Sequence, residues 1–224
     1  MVSPHKSRPR SRLLPVLFGL TMLATAASCT GQRPTLGPAI DASKPISRQA
    51  TGVPAVDAVL LPLEATVTKT YTARYQITPT SGRRAVEAIV AQQGGQRSVT
   101  IGDIRFLTGA GDVTCNLTTK ACDQGILDQR VSNIAGASST FDRTAPATRI
   151  RLAAAAQKST LYPSTEAFEL LGTVCVNFPN GKAADSYCIV PTGQLARLER
   201  ADASVTLQSL VDSADPSLFA RPDK

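Results

Sequence analysis

Apolar and polar positions alternate most regularly over residues 69–77. Lys69, Tyr71, Ala73, Tyr75 and Ile77 share one parity; Thr70, Thr72, Arg74 and Gln76 take the other. A period of two with one mostly apolar side predicts a half-buried antiparallel strand. Thr80-Ser81-Gly82 turns the chain, and residues 84–92 follow as a second strand with looser alternation. Gln93-Gly94-Gly95-Gln96 is a hairpin signal, and residues 97–101 and 104–108 read as two further short strands. Ahead of this meander, residues 54–61 form a short apolar helix. Pro54 is tolerated in its first turn, and Pro62 ends or kinks it.

The period changes in the middle of the chain. Residues 109–122 read as a loop. Asp123 is then placed to cap a helix whose one face carries Ile126, Leu127, Val131, Ile134 and Ala135, with Gly136 ending it. A polar loop leads to a second helix over about 147–161. This helix contains four successive alanines, Ala153 to Ala156, and alanine has the highest helix propensity. Pro163 stops it. The last third returns to a period of two. Phe168, Leu170, Val174, Val176 and Phe178 share a parity in one long strand, with Gly172 as a bulge or bend. Cys175 faces the other way. Pro179-Asn180-Gly181 turns into a strand over 185–190 that carries Cys188 beside it. Pro191-Thr192-Gly193 turns again into strands over 194–200 and 203–210, and Phe219 is expected to pin the tail to the core. Strands, then helices, then strands make an α+β fold with an antiparallel sheet. No internal repeat is visible.

The start of the chain has a separate logic. Lys6, Arg8, Arg10 and Arg12 stand with no acid among the first 12 residues, and an apolar run of about 15 residues reaches Ala27. A basic head before an apolar centre is a secretory signal, and the run is shorter than the roughly 20 residues of a spanning helix. Ala26, Ala27 and Ser28 precede Cys29. This stretch resembles the lipobox of bacterial lipoproteins, with Ala26 where those usually have leucine. The resemblance implies cleavage before Cys29 and a diacylglyceryl thioether, a palmitate-type modification, on its sulfur. Two or more acyl chains anchor stably, so the chain is expected on the extracytoplasmic face of the cell membrane. An ordinary secretory signal with Cys29 incidental, or a plain membrane anchor, are the alternatives. The expected organisation is a signal over 1–28, a flexible tether over 29–52, rich in Gly, Pro, Ser, Thr and Gln, and a single domain over 53–220.

Composition narrows the function. The formal charge of the 224 residues is +7. Four of the bases lie in the signal, so cleavage leaves 20 bases against 17 acids. That balance, with no basic stripe and aromatics at 4%, gives no nucleic-acid signature. The sole histidine, His5, also lies in the signal. The mature chain therefore has no Ser-His-Asp or Cys-His arrangement and no histidine metal site. No G-x-S-x-G, P-loop or S-x-x-K motif occurs. Catalysis would fall to carboxylates such as Glu166 and Glu169, which read as solvated residues at the start of a strand, so no enzyme activity and no cofactor are expected. Asn116-Leu117-Thr118 matches a glycosylation sequon by chance.

Four cysteines remain besides Cys29, and four allow three connectivities. Proximity favours Cys115 with Cys122 and Cys175 with Cys188. A four-thiolate metal site is the rival, but six and twelve intervening residues lack the tight pairs of zinc sites. An oxidising compartment favours disulfides.

Behind a lipidated cysteine, this order of elements over about 67–219 resembles the curved-sheet envelope lipoproteins of the LolA/LolB and LppX/LprG kind. The two cysteine pairs resemble those of a group of actinobacterial lipoproteins with this fold. The resemblance implies an antiparallel sheet bent into a half-barrel, with helices on its concave side and an apolar cavity for lipid between them. Small fillers such as Ala153–Ala156 suit a void there, since large side chains favour dense packing; close helix–sheet contact without a void is the other outcome. Two functions stay open: a tethered module binding a lipid or other hydrophobic ligand, and a non-catalytic interaction or structural module with a packed core. The protein partner is unknown.

Overall fold

The computed structural model describes residues 49–80, 82–156, 164–168, 171–180 and 183–223. Helix α1 (Pro54–Ala65) precedes six strands: β1 (Tyr71–Pro79), β2 (Val86–Gln93), β3 (Gln96–Ile101), β4 (Ile104–Thr108), β5 (Val113–Asn116) and β6 (Cys122–Gln124). Helices α2 (Gln129–Ala135) and α3 (Thr144–Ala156) follow. Then come β7 (Ser164–Phe168), β8 (Leu171–Asn180), β9 (Ala183–Ile189), β10 (Leu195–Glu199) and β11 (Ala203–Val211). Among the described residues the eleven strands form one open, curled sheet, ordered β6-β5-β4-β3-β2-β1-β11-β10-β9-β8-β7. All neighbours are antiparallel. The expected α+β order is therefore present. The chain leaves the sheet at one edge, β6, and returns at the other, β7, so α2 and α3 lie in a crossing of its whole width.

Register shows why one face is the core. Leu207, Tyr75, Ala88, Ile101 and Ile104 stand in one row across five strands, and Val90, Val99 and Phe106 extend the next row from Ala73. All of these are buried. The parity predicted for β1 is thus the parity that the sheet buries. Helix α1 presents Val56, Val59, Leu60 and Leu63, all buried, at the spacing of one helix face. It packs on α3, β8 and β9. Arg151 of α3 forks onto Glu64 of α1, Nε to Oε1 at 2.9 Å and Nη2 to Oε2 at 2.7 Å; such bidentate charge-assisted pairs fix geometry as well as adding energy.

The opposite face is covered by the chain's own tail. Thr72, Ala91, Ser98, Leu107 and Val113 form a register row there, and all are buried. Thr72 donates its hydroxyl to Ser213 O at 2.8 Å. Arg105 Nη1 donates to Ala220 O at 3.2 Å, holding the 3₁₀ turn Pro216–Phe219 near β3. Small residues in the row let the tail approach closely. Phe219 is half-buried in this strap, on the outside of the sheet rather than in the main core.

Several local expectations are corrected. Pro62 lies inside α1, which runs on to Ala65. Residues 109–122 hold β5 and the turn into β6, not a bare loop. Asp123 belongs to β6 and pairs with Arg130; α2 starts only at Gln129, after Asp128. Gly136 ends α2 in the left-handed region, φ 65°, as expected. Helix α3 begins three residues early, at Thr144, and residues 157–163 lie outside the described residues. The long strand through Gly172 is two strands. Phe168 pairs with Leu171, so β7 and β8 are antiparallel neighbours; Leu170 lies outside the described residues.

Both disulfides have the expected partners, Cys115–Cys122 and Cys175–Cys188. Each joins directly opposed residues of neighbouring strands. Cys175 lies on the parity opposite to Val176 and Phe178, and the ring of Phe178 meets Tyr187 edge-on at 6.0 Å. Restricting the unfolded chain over a separation of 13 residues stabilises by about 3 kcal/mol, and over 7 residues by about 2 kcal/mol. Replacing Cys175 and Cys188 with alanine is therefore expected to lower unfolding free energy more than replacing Cys115 and Cys122. Urea denaturation of the two double variants checks the order.

Candidate functional site

Arg97 stands on the core-face parity of β3, beside Val99 and Ile101, where a neutral side chain would be expected. It is only 6% exposed. Its Nη2 donates to Asp142 Oδ1, and Asp142 is 2% exposed. Asp142 arrives from residues 138–143, a run of tight turns ahead of α3. Phe141 N donates to Ser138 O at 3.1 Å, Arg143 N to Thr140 O at 3.2 Å, and Ala145 N to the same carbonyl at 3.1 Å. Asp128 fixes this run from the start of α2: it makes no cap on its own helix, and its Oδ1 accepts from Ser139 N at 2.6 Å. Thr114 of β5 holds the segment before α2, accepting from Leu127 N at 2.9 Å and donating to Gly125 O at 2.8 Å.

The turns thus set Phe141, Asp142 and Arg143 over β1 and β3. Phe141 meets Tyr75 edge-on at 5.3 Å, a favourable arrangement of ring quadrupoles. Tyr71 lies close enough to Arg97 to feel its charge. Burial, then the charge of Asp142, pushes the Tyr75 phenol well above its ordinary value, and the same two causes raise Tyr71. Burial disfavours the Arg97 charge most, yet Asp142 and Tyr71 outweigh it and leave the guanidinium above its usual value. Arg143 goes the other way: burial first, then the like charge of Arg97, lowers it.

Beside this cluster lies a cavity of about 240 Å³. Val99, Phe106 and Ile126 give it an apolar wall; Arg97, Arg143 and Thr140 are among its polar residues. It is a little under the ~300 Å³ at which ligand pockets usually begin. Four buried atoms in and beside this cluster lack a hydrogen-bond partner among the described residues: Arg97 Nη1, Arg143 Nη1, Tyr75 Oη and, on the strand neighbour of Arg97, Gln92 Oε1; of these residues only Arg97 and Arg143 line the cavity. A cleft of about 400 Å³ lies on the opposite face, where Phe219 and Arg221 of the tail meet Leu107, Val113 and Gln124. There Arg221 is already forked onto Asp223, at 2.9 and 2.5 Å.

The residues singled out from sequence are placed elsewhere. Cys29 lies outside the described residues. The four other cysteines are consumed in disulfides. Glu166 is in β7, and Glu169 is outside the described residues. Asn116 accepts from Thr119 N at 2.8 Å and closes the turn after β5. Arg97, Asp142 and Arg143 carried no expectation. The available signal was Arg97 itself, a charge on the apolar parity of a strand, which demands a buried partner. No protein-family model matches this sequence, and no curated protein matches it either.

Proposed function

We propose that this chain is a membrane-anchored cell-envelope lipoprotein, lipidated at Cys29, whose single domain over 53–220 binds an amphipathic ligand without transforming it. In this reading the sheet is a half-barrel, and the helices and the 138–143 turns pack on its concave side. Phe141 against Tyr75 and Asp142 against Arg97, both on the core face, support that placement. The ligand reading is carried by the 240 Å³ cavity, apolar on one wall and polar at the other, where Arg97 and Arg143 stand with Asp128. The non-catalytic reading rests on His5 being the sole histidine and on disulfides holding four of the five cysteines. A second reading, an interaction module with a packed core, is favoured by the continuous buried cluster that runs from Val56 to Leu207.

The anchor is tested by growing cells with a clickable palmitate. The parent is expected to be labelled in the membrane fraction, and Cys29→Ser to be unlabelled and released. A parent without label overturns the anchor. Native mass spectrometry of the purified protein is expected to show an adduct that denaturation removes. An adduct-free parent that also ignores a fluorescent fatty acid favours the packed-core module.

A further inference from the structure

We infer that the core-face cavity recognises an organic oxyanion on a small apolar body, and that Arg97 and Arg143 hold the anion. This rests on the reading of that cavity as the ligand site. The observation behind it is the pair of unpartnered guanidinium nitrogens. Arg97 is more than nine-tenths buried, its Nη2 is taken by Asp142, and its Nη1 has no acceptor. Arg143 lines the same cavity, and its buried Nη1 likewise has none. Buried donors are almost always satisfied, and an orphan calls for an explanation such as an absent water or ion.

Two unpartnered donors facing one cavity separate those two explanations. Asp142 answers Arg97, but among the described residues no carboxylate pairs with Arg143. Two guanidiniums therefore face one cavity with one directly paired carboxylate. Water would supply acceptors but no charge. An oxyanion supplies both, accepting from the two Nη1 groups and offsetting the repulsion that Arg97 exerts on Arg143. Asp128, also on the wall, carries a charge that opposes an anion; its Oδ1 accepts from Ser139 N, and an anion is held at the two Nη1 groups and away from it. Val99, Phe106 and Ile126 leave the rest of the space apolar. At a water's share of about 30 Å³, 240 Å³ is room for about eight water-sized groups, the scale of benzoate or phenyl phosphate.

Calorimetric and NMR titrations of the purified chain with benzoate, phenyl phosphate and benzyl alcohol test this. The anions are expected to bind at or below about 1 mM, and the alcohol about tenfold more weakly. A preference for benzoate assigns carboxylates, and a preference for phenyl phosphate assigns phosphate esters; either supports the inference. Arg143→Gln is expected to weaken the anions about tenfold and leave the alcohol unchanged, with Arg143→Lys between. Because the probe series on the parent needs no variant to fold, a failed variant leaves the test intact. Equal binding of all three probes overturns oxyanion recognition while the cavity stays a ligand site. No binding of any probe to a folded parent overturns both.

Discussion

Asp142→Asn is expected to destabilise the domain by about 3–5 kcal/mol, the cost of breaking a buried ion pair from one side. Arginine does not shed its proton in a protein, so Arg97 would keep its charge at 6% exposure with a neutral amide in place of the carboxylate that pairs with it. The mutation leaves shape almost unchanged, so the loss would measure charge and not packing. Asp142 ties the turn residue next to Phe141 to β3, and a shift there would reach the rings of Phe141 and Tyr75. Replacing both members, Arg97→Met with Asp142→Leu, is expected to recover most of the loss, because apolar pairs of similar volume substitute well for buried ion pairs. Urea denaturation of the three proteins checks this. A loss below about 1 kcal/mol for Asp142→Asn would place the pair with exposed salt bridges and refute its burial.

That pair shows where the sequence was legible and where it was not. Arg97 sits on a parity anyone can count, because a strand repeats every two residues and one face is buried. Its partner lies 45 residues away, in a stretch that reads as a polar loop, and nothing local links the two. The strands of the opening meander and of the last third emerged near their true bounds, whereas β5 and β6, beside Gly109 and Gly111, did not. The break between β7 and β8 did not emerge, since the sequence there offers no Gly, Pro, Asn or Asp ahead of Gly172, which already lies in β8. Sequence proximity sufficed for the cysteines, because each pair closes a short hairpin. Of the two effects expected of Pro62, ending the helix did not occur: α1 runs on to Ala65, with Leu60 and Leu63 buried on either side of the proline.

The same proline carries the second large prediction. Gly193 has φ +93°, and a Cβ built on it would stand 2.3 Å from Pro62 O and 2.8 Å from Pro62 C. Gly193→Ala is therefore expected to cost about 3–5 kcal/mol, combining a backbone conformation that L-residues avoid with forced overpacking. Neither side has room to yield. The carbonyl belongs to α1, locked on either side of it by Leu60 and Leu63, both fully buried. The turn is held by Gly193 N to Val190 O at 2.7 Å and Val190 N to Gln194 O at 2.9 Å. Lys69 Nζ pins it again through Thr192 O at 2.6 Å. For a domain of this size the loss corresponds to a fall in Tm of about 10 °C. Adding Pro62→Ala should not rescue the variant, because the obstacle is the backbone oxygen and not the pyrrolidine ring. A Tm within about 2 °C of the parent would show that the turn and helix stand farther apart than this contact requires.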